Sequence, residues 1–246
     1  MIINKSEATK TDIETLNSLD TVLKKNENSF TNIRVQKPWG SEYLLFENDD
    51  VAIWILKINP KEKTSMHCHV DKSTSLISLS GQLRCDTLDN SFELKTLEGI
   101  YLGKKVFHQT TNISDEAAIV MEIESPVNKS DLIRKEDNYG RTGQPYEKSN
   151  NYIKEDNLTI TEIKNKNQRK FNTTNVIIGK VETKREFLNL CKEREGKVIV
   201  TLLNRHIWSN EGKKEFEVGQ VFVGNEEILE ENRINDNFIY MIISKE

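Results

Sequence analysis

Histidine is scarce in this chain, 4 in 246 residues, and cysteine is scarcer still, with 3. The cysteines, Cys68, Cys85 and Cys191, are odd in number and far apart, so they read as no disulfide framework. The opening "MIINKSEATKTDIETL" lacks the apolar core of a secretory signal, and a reduced, cytoplasmic setting is the default expectation. No run approaches the ~18 apolar residues a bilayer-spanning helix needs. Charge of one sign is also lacking. The 35 basic and 39 acidic residues are interspersed and leave a net charge of -4, which offers no field to gather nucleic acid or an anionic membrane. At this length the chain can bury one large core or two of ordinary size.

What is present is a strand rhythm. From Ile33 onward come "EYLLF", "VAIWILKI", "TSLISLSG", "SFELKTL" and "AAIVMEIE", each bounded by Gly, Pro, Asn or Asp. Spacings of roughly 8 to 12 residues between such runs mark an antiparallel sandwich or barrel. Ahead of them, Ile13, Leu16, Leu19, Val22 and Leu23 fall at helical spacing and predict a short amphipathic helix within Ser6 to Asn28. A polar stretch follows Lys148, and then "TNVIIGKV", "KVIVTLL", "HIWSN", "KEFEVGQVFVG" and "NFIYMIIS" resume the rhythm around one helical segment, "KREFLNLCKER". The expected layout is an N-terminal extension over 1–30, a β domain over 31–150 and a second β domain over 151–246. The second half repeats the first half's strand, glycine, strand order, which suggests a duplicated fold.

Two of the four histidines sit in "MHCH". Alternate residues of a strand face the same side, so His67 and His69 project together while Met66 and Cys68 point away. Two imidazoles on one face can serve one metal ion, and His108 in "GIYLGKKVFHQTTN" is the natural third ligand. Three neutral imidazoles can hold a divalent ion such as zinc, iron, manganese or nickel and leave positions open for water or substrate. Cys68 reads as a small buried hydrophobe, and His206 in "NRHIWSN" as structural or exposed.

The positions of His67, His69, Gly81, Gly99, His108 and Asn112 resemble the paired motifs of the cupin superfamily, which implies an all-β jelly-roll barrel with an internal metal site. Three positions depart from that pattern. Lys61 replaces its first glycine, "GKK" its proline-glycine turn, and Thr74 its glutamate. Asp71 is a possible substitute acid. The flanking stretches "KPWGSEYLLF" and "SDLIRKEDNYGR" are similar to the opening and closing signatures of type II mannose-6-phosphate isomerases, including the domain fused to mannose-1-phosphate guanylyltransferases. The fit runs through Lys37, Pro38, Trp39 and Gly40, then Asp131, Leu132, Ile133, Arg134, Asp137, Tyr139, Gly140 and Arg141, and covers roughly residues 33–147.

That resemblance implies a metal-dependent isomerase or epimerase acting on a sugar phosphate or nucleotide-linked sugar in surface carbohydrate synthesis, with a metal-assisted aldose–ketose proton shuttle as the family's reaction. Lys57 and Arg134 are the candidate substrate contacts, since a guanidinium grips phosphate through two hydrogen bonds. Glu122, Glu124 and Asp131 are candidates for proton transfer. His67 stands where the isomerases tend to have glutamine, and Thr74 where they have glutamate. Two other readings therefore stay open: a three-histidine non-haem iron dioxygenase, and a non-catalytic sugar- or metal-binding cupin. A homodimer is expected, because cupin barrels commonly pair through edge strands.

Overall fold

A computed structural model of the protein describes residues 2–19, 29–141, 149–163, 166–192, 198–203, 207–208, 218–224, 233–234 and 238–246. The first half comprises β1 (Ile3–Ser6), helix α1 (Lys10–Ser18), β2 (Ile33–Lys37), β3 (Gly40–Glu47), β4 (Ala52–Ile58), β5 (Met66–Cys68), β6 (Ser73–Ser80), β7 (Leu83–Thr87), β8 (Ser91–Leu94), β9 (Gly99–Leu102), β10 (His108–Asn112), β11 (Ala118–Ser125) and β12 (Ile133–Glu136). The second comprises β13 (Tyr152–Lys154), β14 (Lys166–Phe171), β15 (Thr174–Val181), helix α2 (Lys184–Lys192), β16 (Val198–Leu202), β17 (Ile207–Trp208), β18 (Phe222–Val223), β19 (Arg233–Ile234) and β20 (Phe238–Lys245). The all-β class read from the sequence is borne out. Among the described residues no helix is long and apolar enough to cross a membrane.

The strands form an eight-stranded sheet, β1-β9-β6-β11-β4-β3-β2-β13, and a five-stranded sheet, β12-β5-β10-β7-β8. Their facing sides share one core, in which Trp54, Leu56, Ala118 and Val120 of the larger sheet meet Leu83 and Cys85 of the smaller. The larger sheet is covered on its other side too. Ile53, Ile55, Met121 and Ile123 pack with Val176, Ile178, Met241 and Ile243 of a third sheet, β14-β15-β20-β16-β18. Alternate residues of β4 thus enter two different cores. This is why "VAIWILKI" shows no polar alternation: a strand buried on both faces reads as a continuous apolar run.

The apolar cluster on the outer face runs unbroken from Leu45 to Ile243, across the expected boundary near residue 150. Each aliphatic side chain so buried contributes roughly 1.5–3 kcal/mol, so the third sheet is bound into the fold of the first half. Among the described residues the second half holds that one five-stranded sheet, helix α2, the ribbon of β17 with β19, and β13, which joins the eight-stranded sheet beside β2. The expected duplication finds no further support there. His206 lies outside the described residues.

The N-terminal helix is shorter than the spacing predicts. Thr9 caps it in a capping box with Asp12, and α1 ends at Ser18; Val22 and Leu23 lie outside the described residues. Ahead of it, Ile3–Ser6 adds a parallel edge strand beside β9. Gly40 ends the "KPWG" run with φ +145°, and a Cβ there would stand 2.0 Å from the Lys57 carbonyl oxygen. That close approach of β3 to β4 admits only glycine.

Candidate metal centre

Strand β5 is three residues long and pairs on both sides near its middle: His67 lies opposite His108 of β10 and opposite Arg134 of β12. Register alone therefore places His108 beside His67, although 41 positions separate them in the sequence. Cys68 points the other way, into a small apolar cluster with Phe107 and Ile133, against which Leu16 and Leu19 of the α1 segment pack. Helix α1 also fixes the neighbouring backbone. The buried Asp12 caps it through Oδ2, and Asp12 Oδ1 accepts the N–H of Phe107 at 2.9 Å.

The three rings face one another with centroids 4.4 Å (His67 to His108), 5.1 Å (His67 to His69) and 5.4 Å (His69 to His108) apart. Each Nδ1 meets a backbone carbonyl: Ser65 at 2.8 Å for His67, Asp131 at 2.5 Å for His69, and Val106 at 3.1 Å for His108. A carbonyl oxygen can only accept, so each Nδ1 carries the proton and each Nε2 keeps a lone pair. Buried metal-ligating histidines are held this way, by a hydrogen bond at the other ring nitrogen. Among the described residues, Nε2 of His69 and of His108 is buried without a hydrogen-bond partner. Ligand atoms from all three rings lie within 4.8 Å of one another. A buried acceptor left unpaired costs about 1–3 kcal/mol, which a cation between the rings would offset. The residues present fit a divalent metal ion.

Burial keeps all three rings neutral. It pushes His67 and His69 well below the ordinary 6.5, helped by neighbouring His108 and Lys72 respectively, and takes His108 down to about 4. The unfolded chain thus takes up these protons first on acidification. Stability that is full above pH 6.5 is lost as pH falls toward and through 4. For His108 the gap between 6.5 and about 4 amounts to about 3 kcal/mol. Glu122 has the opposite sign: burial and adjacent Glu124 raise it to about 7, so its contribution is present below 4.5 and lost as pH rises through 7. One carboxyl opposes three imidazoles. Urea unfolding of metal-stripped protein is therefore expected to give a midpoint several tenths of a molar lower or more at pH 4.5 than at pH 7.

The motif residues around the rings hold the backbone. Asp131 is fully buried; its Oδ1 accepts the N–H of Val70 at 2.7 Å, and its Oδ2 those of Asp71 at 2.8 Å and Lys72 at 3.0 Å. A carboxylate so engaged shapes the loop after His69 and is a poor proton carrier. Asn112 ties Ile58, Asn59 and Glu116 together through its amide. Arg141 pairs with Asp137 at 2.7 Å, and Tyr139 donates its hydroxyl proton to Glu62. Asp71 is exposed, and among the described residues it joins no ligand cluster.

A cavity of about 580 Å³, its mouth included, opens over the rings and reaches Trp39 and Leu56. Lys37, Lys72, Lys129, Arg134 and Arg141 bring positive charge to its wall, and Glu42, Glu122 and Glu124 negative charge. Of the two expected substrate contacts, the cavity takes in Arg134 only. Lys57 is exposed on β4, in phase with Ile53 and Ile55, and so lies on the sheet face opposite the rings. Sequence reasoning missed Lys72, Lys129 and Glu42 altogether. It had a signal for the pairing of Glu122 with Glu124: two acids at alternate positions of an apolar strand share a face, as the two histidines of "HCH" do.

Fold and site define an all-β protein with a histidine-lined cavity. Residues 24–137 match the family model described as mannose-6-phosphate isomerase C-terminal, which bears out the resemblance over that segment, under half of the chain. No curated protein matches the chain. Among solved structures it is similar to the capsular polysaccharide assembling protein CapF from Staphylococcus aureus, at 16% identity and a TM-score of 0.38 over 42% of this chain and 34% of that one. KdgF from Halomonas sp. is similar at 11% identity and a TM-score of 0.35, over 42% of this chain and 86% of that one. A candidate sugar phosphate isomerase from Acidithiobacillus ferrooxidans shows 16% identity and a TM-score of 0.30 over 32% of this chain and 51% of that one. The chain thus spans about half of that last structure and about a third of CapF.

Proposed function

We propose that the protein is a cytoplasmic, metal-dependent cupin that acts on a sugar phosphate or nucleotide-linked sugar, as an isomerase or epimerase in surface carbohydrate synthesis. The observation that carries this reading is the set of three imidazoles, each locked with its Nδ1 proton on a carbonyl, at the wall of a cavity rich in cationic side chains. His67, His69 and His108 would hold the ion. A divalent cation there supplies Lewis acidity to adjacent carbonyl and hydroxyl oxygens, steadying negative charge as it develops.

The chain's own groups then divide the remaining work. Arg134 lies at the cavity wall, where a guanidinium can grip a phosphate through two hydrogen bonds. Trp39, Leu56 and Leu76 give the cavity an apolar wall that limits water around the reacting carbons. Aldose–ketose exchange moves a proton between adjacent carbons and needs a group that both takes and returns it near neutral pH. Asp131 is held by three amides, and Glu124 is paired with Lys72. Glu122, raised to about 7, is the carboxyl suited to the transfer. Lys57, on the outer face, takes no part.

The test is a coupled assay of purified protein on a panel of aldose and ketose phosphates, beginning with mannose 6-phosphate, alongside metal analysis. Glu122→Gln is expected to lower kcat by about 100-fold or more with metal content unchanged. Full activity in that variant would remove Glu122 from the mechanism. Iron in the purified protein, with turnover that consumes oxygen, would instead favour the dioxygenase reading. The homodimer proposal is checked by light scattering.

A further inference from the structure

The triad of rings carries no negative charge, yet a carboxylate stands beside it with one oxygen unused. We infer that Glu124 of β11 supplies the anionic ligand of the metal centre, from the strand next to the one that carries Thr74. The inference rests on the metal reading above and adds to it a ligand that the sequence pattern does not place.

Glu124 is 1% exposed. Its Oε1 accepts a hydrogen bond from Lys72 Nζ at 2.5 Å, and among the described residues its Oε2 has no hydrogen-bond partner. A buried charge is stable only when its remaining lone pairs are also engaged. Lys72 satisfies one oxygen; a cation would satisfy the other. Ligand atoms of His69, Glu122 and Glu124 lie within 4.8 Å of one another, so His69 belongs both to this cluster and to the imidazole triad. Asp71, the acid that sequence reasoning offered, is exposed and outside both.

The ladder explains how the acid can sit on β11. Glu124 is directly opposite Thr74 in the antiparallel pairing of β6 with β11. Opposed residues share a sheet face, with Cβ atoms roughly 4.5–5.5 Å apart, so acids at either position start from nearly the same place on the cavity wall. Thr74 is buried, and among the described residues its Oγ1 also lacks a hydrogen-bond partner. The pair is threonine and glutamate where glutamate and a neutral residue would serve equally. Lys72 is then a positioning residue, holding the carboxylate by its other oxygen.

The experiment measures zinc and manganese binding by titration calorimetry on the full, metal-stripped chain, with bound metal counted after dialysis. Glu124→Gln is expected to weaken binding by about 10- to 100-fold or more, since even the outer partners of metal ligands are worth that much. Adding Thr74→Glu to that variant is expected to recover most of the loss. Because Glu124→Gln strands the Lys72 ammonium, the double variant Lys72→Met/Glu124→Gln provides a neutral pair, and thermal melts of the metal-free forms report folding. It should bind as weakly as Glu124→Gln, whereas Lys72→Met alone, which keeps the carboxylate and removes only its positioning contact, should bind more tightly than either Glu124 variant. Wild-type affinity in both Glu124 variants, or no recovery from Thr74→Glu, would overturn the inference while leaving the three-histidine site standing. Failure of the wild type to bind either ion would overturn both.

Discussion

Substitution of His69 by alanine is expected to reduce metal affinity more than about 100-fold, beyond the range seen when only an outer partner of a metal ligand is lost. His69 should be the most costly of the three rings to remove. Among the described residues it alone belongs to both ligand clusters, and its Nδ1 is anchored at 2.5 Å to a carbonyl of the segment that closes the neighbouring loop. On the proposal that the rings form one coordination sphere, the effects will not add: His69→Ala combined with His108→Ala should cost little more than His69→Ala alone. Metal counted after dialysis, with calorimetry for residual binding, gives the readout. A full complement of tightly held metal in His69→Ala would show that the rings do not share an ion, and the proposed chemistry would go with it.

The rings were legible in the sequence because their placement needs only two rules. The two-residue period of a strand puts His67 and His69 on one face, and a motif resemblance supplies His108, which the register then seats opposite His67. Lys57 shows the limit of such rules. It sits in an apolar strand next to cavity residue Leu56, and nothing local says which parity faces inward. That was settled by the layers: even positions of β4 meet the five-stranded sheet and odd positions meet the third sheet. The third sheet itself could not be read from "VAIWILKI", because a continuous apolar run records burial on both faces without naming what covers them. Strand β1 was hidden for a different reason. "INKS" has little strand propensity of its own and is held by pairing along β9. Glu124 was visible as an acid, but its relation to Thr74 exists only in the cross-strand register.

The aspartate of the closing signature, Asp131, invites a catalytic role when read as sequence, and the structure gives it a different and larger one. Its carboxylate accepts three backbone N–H groups, from Val70, Asp71 and Lys72, and its own carbonyl orients His69. Hydrogen bonds to a charged group contribute roughly 1.5–3 kcal/mol each, and buried donors left unpaired add their desolvation cost. The three are not independent, since one loop makes them all, so Asp131→Ala is expected to cost about 3–5 kcal/mol. In a chain of this size that lowers the melting temperature by on the order of 10 °C. Metal affinity should fall with it, by about 10- to 100-fold, because the loop carrying His69 loses its fixed shape. Asp131→Asn keeps one accepting oxygen and should fall between. Asp71→Ala, one loop position away but exposed, should change stability by no more than about 0.5 kcal/mol. Thermal melts and calorimetry on the three variants separate a loop clamp from a proton carrier: if Asp131→Asn and Asp131→Ala melt within 2 °C of the wild type yet lose turnover, Asp131 works in the chemistry and the clamp is wrong.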